Sequence, residues 1–154
     1  VYIPMNNYPK WWDKTITIYN KFEDPLTQLI TWYKTIVTNC FWKDEHINIR
    51  VRLRDFVLEG DNVICRIPKS NKYVDTETWN NLTADAKSRY FTIGYNDIIV
   101  LGEVADEINE YQSGSRSSDL LSKYKRLQKC LEVDSFSDNT GDNLDLEHYL
   151  VRGI

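Results

Sequence analysis

The chain has 154 residues, 42% of them hydrophobic, enough for one core and hardly for two, so a single domain is expected. Its net charge of -4, with 27% charged residues, argues against the broad basic surface that displaces phosphate counterions in nucleic-acid binding. No apolar stretch approaches the roughly 18 to 20 residues that span a bilayer, and the start lacks the charged-then-apolar order of a signal peptide, so the expectation is a chain made in a cytoplasm with no membrane partner.

The first segment, VYIPMNNYPKWWDK, is expected to be an extended aromatic arm covering residues 1–14. Pro4 and Pro9 prevent regular pairing, yet Tyr2, Tyr8, Trp11 and Trp12 concentrate aromatic area that needs a surface. That surface is either the arm's own domain or a neighbouring subunit. Adjacent Trp11 and Trp12 point to opposite sides of an extended backbone, which makes both candidates for a subunit interface.

Residues 15–154 are expected to form the domain. TITIYNKFED alternates Ile16 and Ile18 against Thr15, Thr17 and Tyr19, a strand ended by Asp24-Pro25. TQLITWYKTIVTNCFWKD is rich in β-branched and aromatic residues and reads as a strand with a bend. In HINIRVRLRDFVLEG, Ile47, Ile49, Val51 and Leu53 share one face, and Asn48, Arg50, Arg52 and Arg54 share the other. Arg50, Arg52 and Arg54 thus predict a basic ladder that contacts phosphate or, more in keeping with an acidic chain, carboxylates of an adjacent strand or subunit. GDNVICRIP reads as a short strand entered through a Gly-Asp-Asn turn and stopped by Pro68.

Residues 69–89 read as an insertion with one or two short helical turns, capped at Asp75 or Thr76 and at Thr83. YFTIGYNDIIVLGEV, Tyr90 to Val104, predicts a hairpin whose second strand, Ile98 to Leu101, is buried on both faces. A link rich in Gly and Ser follows, in which Ser113, Gly114, Ser115 and Arg116 are expected to form a mobile loop. Ser117 or Ser118 then caps a helix carrying Leu120, Tyr124, Leu127 and Leu131 on one face. LEVDSF and EHYLVRG flank the turn SDNTGDN and predict a closing hairpin. With five to seven strands and one good helix, the fold class is mostly β, of the α+β kind: a small antiparallel barrel or sandwich with long polar loops.

The candidate chemistry is sparse. Cys40, Cys65 and Cys130 are an odd number without metal spacing and read as small buried residues. His46 and His148 sit beside Asp44, Glu45 and Glu147, but no pair has the spacing of a hydrolase site. DSFSDNTGDNLDLE fails as a calcium loop because Phe136 falls where the first ligand carboxylate belongs. No catalytic residue, metal or cofactor is expected, whereas Trp11, Trp12 and Trp79 in irregular segments leave open a monomeric module that stacks a ligand such as a glycan.

The strand order TITIYNKF, TWYKTIVTNCFW, DNVICRIPKSNKYV, YFTIGYNDIIVLGEV and EHYLVRG resembles small proteins of the head-to-tail region of tailed bacteriophages, the minor capsid and head-closure or stopper group. That resemblance implies a β-barrel with long loops and no active site, a virion protein assembled in the host cytoplasm. It further implies a homo-oligomeric ring between portal or adaptor and tail, around genomic DNA that it does not read by sequence.

Overall fold

A computed structural model describes residues 8–51, 56–141 and 146–154, with main chain alone for 45–51 and 56–62. Among these residues six strands, β1 (Lys14–Glu23), β2 (Ile30–Val51), β3 (Phe56–Pro68), β4 (Ile98–Leu101), β5 (Cys130–Asn139) and β6 (His148–Gly153), close into a barrel in the order β1-β2-β3-β6-β5-β4. Every pairing between these six strands is antiparallel. Among the described residues three helices accompany it: α1 (Thr76–Asn80), α2 (Ala84–Arg89) and α3 (Ser117–Arg126). Among the described residues no helix is long and apolar enough to cross a membrane.

The bend expected in the second strand is where the barrel changes partners. β2 pairs with β1 from Ile30 to Cys40 and with β3 from Phe41 to Val51. At Asn39 the backbone takes a φ of 60°, a left-handed conformation that asparagine tolerates better than most residues, and the β1 register slips by one residue nearby.

Alternation in β1 sorts residues into two cores. Ile16 and Ile18 point into the barrel with Cys40, Cys65, Ile67, Ile99, Leu131, Tyr149 and Val151. Tyr19 faces outward, where Ile98, Val100 and Cys130 are covered by Ile108 and by Leu120 and Tyr124 of α3. This is why Ile98–Leu101 is a continuous apolar run: Ile99 serves the inner core while Ile98 and Val100 serve the outer one. β5 and β6 pair as the closing hairpin predicts, but Ser137, Asp138 and Asn139 of the expected turn continue β5, opposite Leu150, Tyr149 and His148. Asp75 and Thr83 cap α1 and α2, accepting from the main-chain N–H groups of Thr78 and Ala86.

Three expectations are corrected. The Tyr90–Val104 hairpin does not form, because both edges of β4 are taken by β1 and β5, leaving no partner for Phe91–Ile93. That segment instead makes a bridge between Phe91 and Tyr73 and drops Phe91 and Ile93 into the inner core. Second, Gly60-Asp61-Asn62 is not a turn. These residues pair with Ile47, His46 and Glu45 inside the ladder, and the chain reverses between Val51 and Phe56, so the alternation read as one strand through Leu58 belongs to two. Third, α3 starts with Ser117 as its first residue and ends at Arg126. Arg116 is the cap, its N–H bonded to Asp119 Oδ2 at 3.1 Å. Leu127 is exposed past the helix end, the backbone turns at Gln128 with a φ of 56°, and Leu131 belongs to β5.

Candidate functional site

The residues expected to carry interactions do not gather into one place. Trp12 is 6% exposed and Trp11 66%. A tight turn, with Trp12 N–H on the Pro9 carbonyl at 3.0 Å, directs the Trp12 indole onto the chain's own barrel. There it stacks on Tyr8 at 5.3 Å and meets Phe41 at 6.2 Å and the edge of His148 at 5.8 Å. Tyr8 anchors the same end, its hydroxyl donating to the Glu147 carbonyl and accepting from Lys69 N–H. Of the arm's adjacent tryptophans, Trp12 therefore docks on its own domain and Trp11 is left outside. Trp79 is fully buried, edge-on to Phe22 and Tyr33, with its Nε1–H on the Tyr90 carbonyl at 3.2 Å. Neither Trp12 nor Trp79 presents the open face that stacks on a sugar.

Arg50 stands in β2 opposite Val57, while Arg52 and Arg54 lie outside the described residues. The link at Ser113–Arg116 has a bonded frame that its composition does not announce. Asn109 N–H reaches the Ser115 carbonyl at 2.7 Å, Ser115 N–H the Gln112 carbonyl at 3.1 Å, and Ser117 N–H Glu110 Oε1 at 2.8 Å. Gly114 supplies the φ of 87° that this turn requires.

His148 is occupied structurally, with Nδ1 at 2.8 Å from the Leu146 carbonyl and Nε2 3.4 Å from Asn139. His46 faces Asp61 in the β2–β3 register. Among the described residues, no group of three His, Cys, Asp or Glu side chains is placed to hold a metal ion. The cysteines are buried as expected, and burial pushes the Cys40 thiol up to about 12 and the Cys130 thiol up to about 11. Cys65 is also raised by burial, so none of the three is an activated nucleophile.

Two networks escaped the sequence reading. In the first, Asp97, buried at the head of β4, accepts from Lys21 N–H at 3.0 Å, Gly94 N–H at 2.8 Å and Asn20 Nδ2 at 2.9 Å. Asn20 Nδ2 also donates to the Thr92 carbonyl at 2.6 Å. Burial pushes the Asp97 carboxyl up to about 6 against the pull of those donors. In the second, Asp106 binds Lys123 Nζ at 2.9 Å and the Tyr124 hydroxyl at 2.8 Å, and its carbonyl accepts from Tyr19 at 2.6 Å. The Lys123 hydrogen bond holds the Asp106 carboxyl below its ordinary value. Both networks tie loops to strands. The Asn-Asp pair before the apolar run was the available signal for the first.

What the fold leaves open is strand edge. The pairs from Glu45↔Asn62 to Val51↔Phe56 continue β2 and β3 past the barrel, because β6 joins β3 only from Val63 onward and β1 leaves β2 at Cys40. At about 3.3 Å per residue this two-stranded ribbon extends roughly 20 Å. Main-chain pairing alone makes such ribbons marginal in water, and they are stabilised by a surface to lie on.

Comparison with known families matches residues 11–154 to a family model described as "Family of unknown function (DUF6751)", so the chain belongs to that family. No curated protein and no solved structure matches it.

Proposed function

For this member of the DUF6751 family, we propose a structural role in the neck of a tailed bacteriophage, as a head-closure component that forms a ring between portal or adaptor and tail. The observation that carries the proposal is the ribbon of β2 and β3 beyond a closed barrel. A closed barrel leaves only short stretches of strand edge free, while a ribbon flanked by no third strand among the described residues is a device for reaching something else. In a ring, ribbons of this length cross to a neighbour or towards the channel.

The charge balance supports the same role. A net charge of -4 suits a passage that DNA must traverse without being gripped. The buried thiols and the structurally engaged His148 suit a part whose work is mechanical. Genetic removal from the phage that encodes the chain tests the proposal. The expected result is heads that package DNA but lose it and fail to join tails. Infectious virions in normal yield would overturn it.

A further inference from the structure

We infer that two copies of this chain join head to tail, the open edge of β2 in one copy pairing with the open edge of β5 in the next. This names the subunit contact of the proposed ring and rests on that reading for its biological setting, though not for its physical argument.

Over Ile30–Cys40 β2 has β1 on one side and, among the described residues, no strand on the other. The direction of its free main-chain groups follows from the ladder. Gly102 N–H bonds the Thr15 carbonyl on the β4 side, and Lys21 N–H bonds Asp97 on that side too, so Ile16, Ile18 and Asn20 turn their main chain towards β2. Their partners Val37, Thr35 and Tyr33 turn back to meet them. Lys34 and Ile36 therefore point N–H and C=O outward, and among the described residues no hydrogen bond reaches those groups.

Alongside this edge runs a groove of about 640 Å³, walled on the far side by α2 and lined by Lys34, Ile36, Lys72, Arg89 and Tyr90. Ile36 is 41% exposed and Tyr90 37%, an apolar strip beside free main-chain groups. The lining carries three basic side chains and no carboxylate. Lys34 and Arg89 each hold one carboxylate, Glu107 at 3.0 Å and Asp85 at 3.1 Å, and Lys72 has no ion-pair partner among the described residues. An incoming strand is thus expected to be extended and acidic.

β5 supplies such a strand. β4 covers it only at Cys130–Glu132, and Asn96 and Asp97 close the main chain of Val133. Beyond the register slip at that point, β6 is the only strand paired with β5 among the described residues, as far as Asn139. Asp134, Ser135, Ser137 and Asp138 are exposed there, two carboxylates with two small side chains that allow close approach. Neither aspartate has a cationic partner among the described residues. Copies that each carry a net charge of -4 repel overall, so contact needs this local complementarity. Because the two edges belong to different strands, the contact is heterologous and builds rings or filaments instead of closed dimers.

The test is sedimentation of the full chain over a concentration series reaching about the millimolar range of weak assemblies. Wild type is expected to form species larger than a dimer. Lys72→Glu with Arg89→Glu, and separately Asp134→Lys with Asp138→Lys, change only exposed side chains, and circular dichroism checks that each variant folds. Each is expected to weaken association by about tenfold or more, and mixing the two to restore it, since each reversed edge then meets its complement. Wild type that stays monomeric, a symmetric dimer as end state, or variants that associate as wild type does would each overturn the contact. A phage that needs the chain although it remains monomeric sinks the contact alone. Head-to-tail assembly by a chain that the phage can lose without effect sinks the neck role alone.

Discussion

Replacing Asp97 by asparagine isolates a contest between burial and hydrogen bonding at the head of β4. Burial favours the neutral carboxyl, and the N–H groups of Lys21, Gly94 and Asn20 favour the ionised one. The outcome lies with burial, at a folded pKa of about 6 against 3.8 for the free side chain. A group raised in this way contributes most to stability below the unfolded pKa and loses that contribution as pH rises through the folded one. A separation of about 2 between the two values corresponds to about 3 kcal/mol. Carboxylates held low, such as Asp106 and Asp75, act in the opposite sense, so the wild-type profile alone does not report on Asp97. The difference between wild type and Asp97→Asn does, because all other groups cancel. Urea unfolding from pH 3.5 to pH 7 should show wild type losing about 3 kcal/mol relative to the variant, mostly between pH 4 and pH 6. A constant difference, or one that moves in favour of wild type, would mean that the three donors outweigh burial and that the argument is wrong.

Trp12→Ala should cost about 3 to 5 kcal/mol in denaturant unfolding, since the indole is buried against Tyr8, Phe41 and His148, while Trp11→Ala should stay within about 0.5 kcal/mol. Equal effects would remove the assignment of Trp12 to its own barrel. Gly153→Ala should be severely destabilising, by about 3 kcal/mol or more, because its Cβ would lie 2.2 Å from the Glu132 carbonyl where β6 passes between β3 and β5. A thermal melt like that of wild type would contradict the packing described there. In amide exchange, Ser115 and Ser117 should be protected relative to Ser113 and Gly114, whose N–H groups have no partner among the described residues. Uniform fast exchange from Ser113 to Ser117 would show that the frame of this loop does not hold in solution.

The fold class was legible because period-two alternation and burial on both faces are local signals. Ile16 and Ile18 announced an inner face, and the uninterrupted run Ile98–Leu101 announced a strand covered on both sides. Strand partners were less legible, because pairing is decided by which edges remain free. Phe91–Ile93 has a strand's pattern but meets a β4 whose edges are already filled. The Gly-Asp-Asn stretch has a turn's composition, yet it pairs with Ile47, His46 and Glu45, because its place is set by the register of the whole ladder from Phe41 to Val51. The same limit applies to the candidate site. Lys34, Lys72 and Arg89 carry no motif, and they become one groove only when β2 crosses from β1 to β3 and leaves an edge beside α2. The Arg50, Arg52 and Arg54 ladder, conversely, was conspicuous in sequence, but only Arg50 stands within a described strand.

Electron microscopy of the purified full chain mixed with the portal of the encoding phage is the decisive experiment on the proposed neck ring. Rings of constant diameter seated on the portal are expected, with the barrel in each subunit and a ribbon from β2 and β3 directed to the neighbour or the channel. Portals that remain bare at saturating chain, beside monomeric barrels, would contradict it.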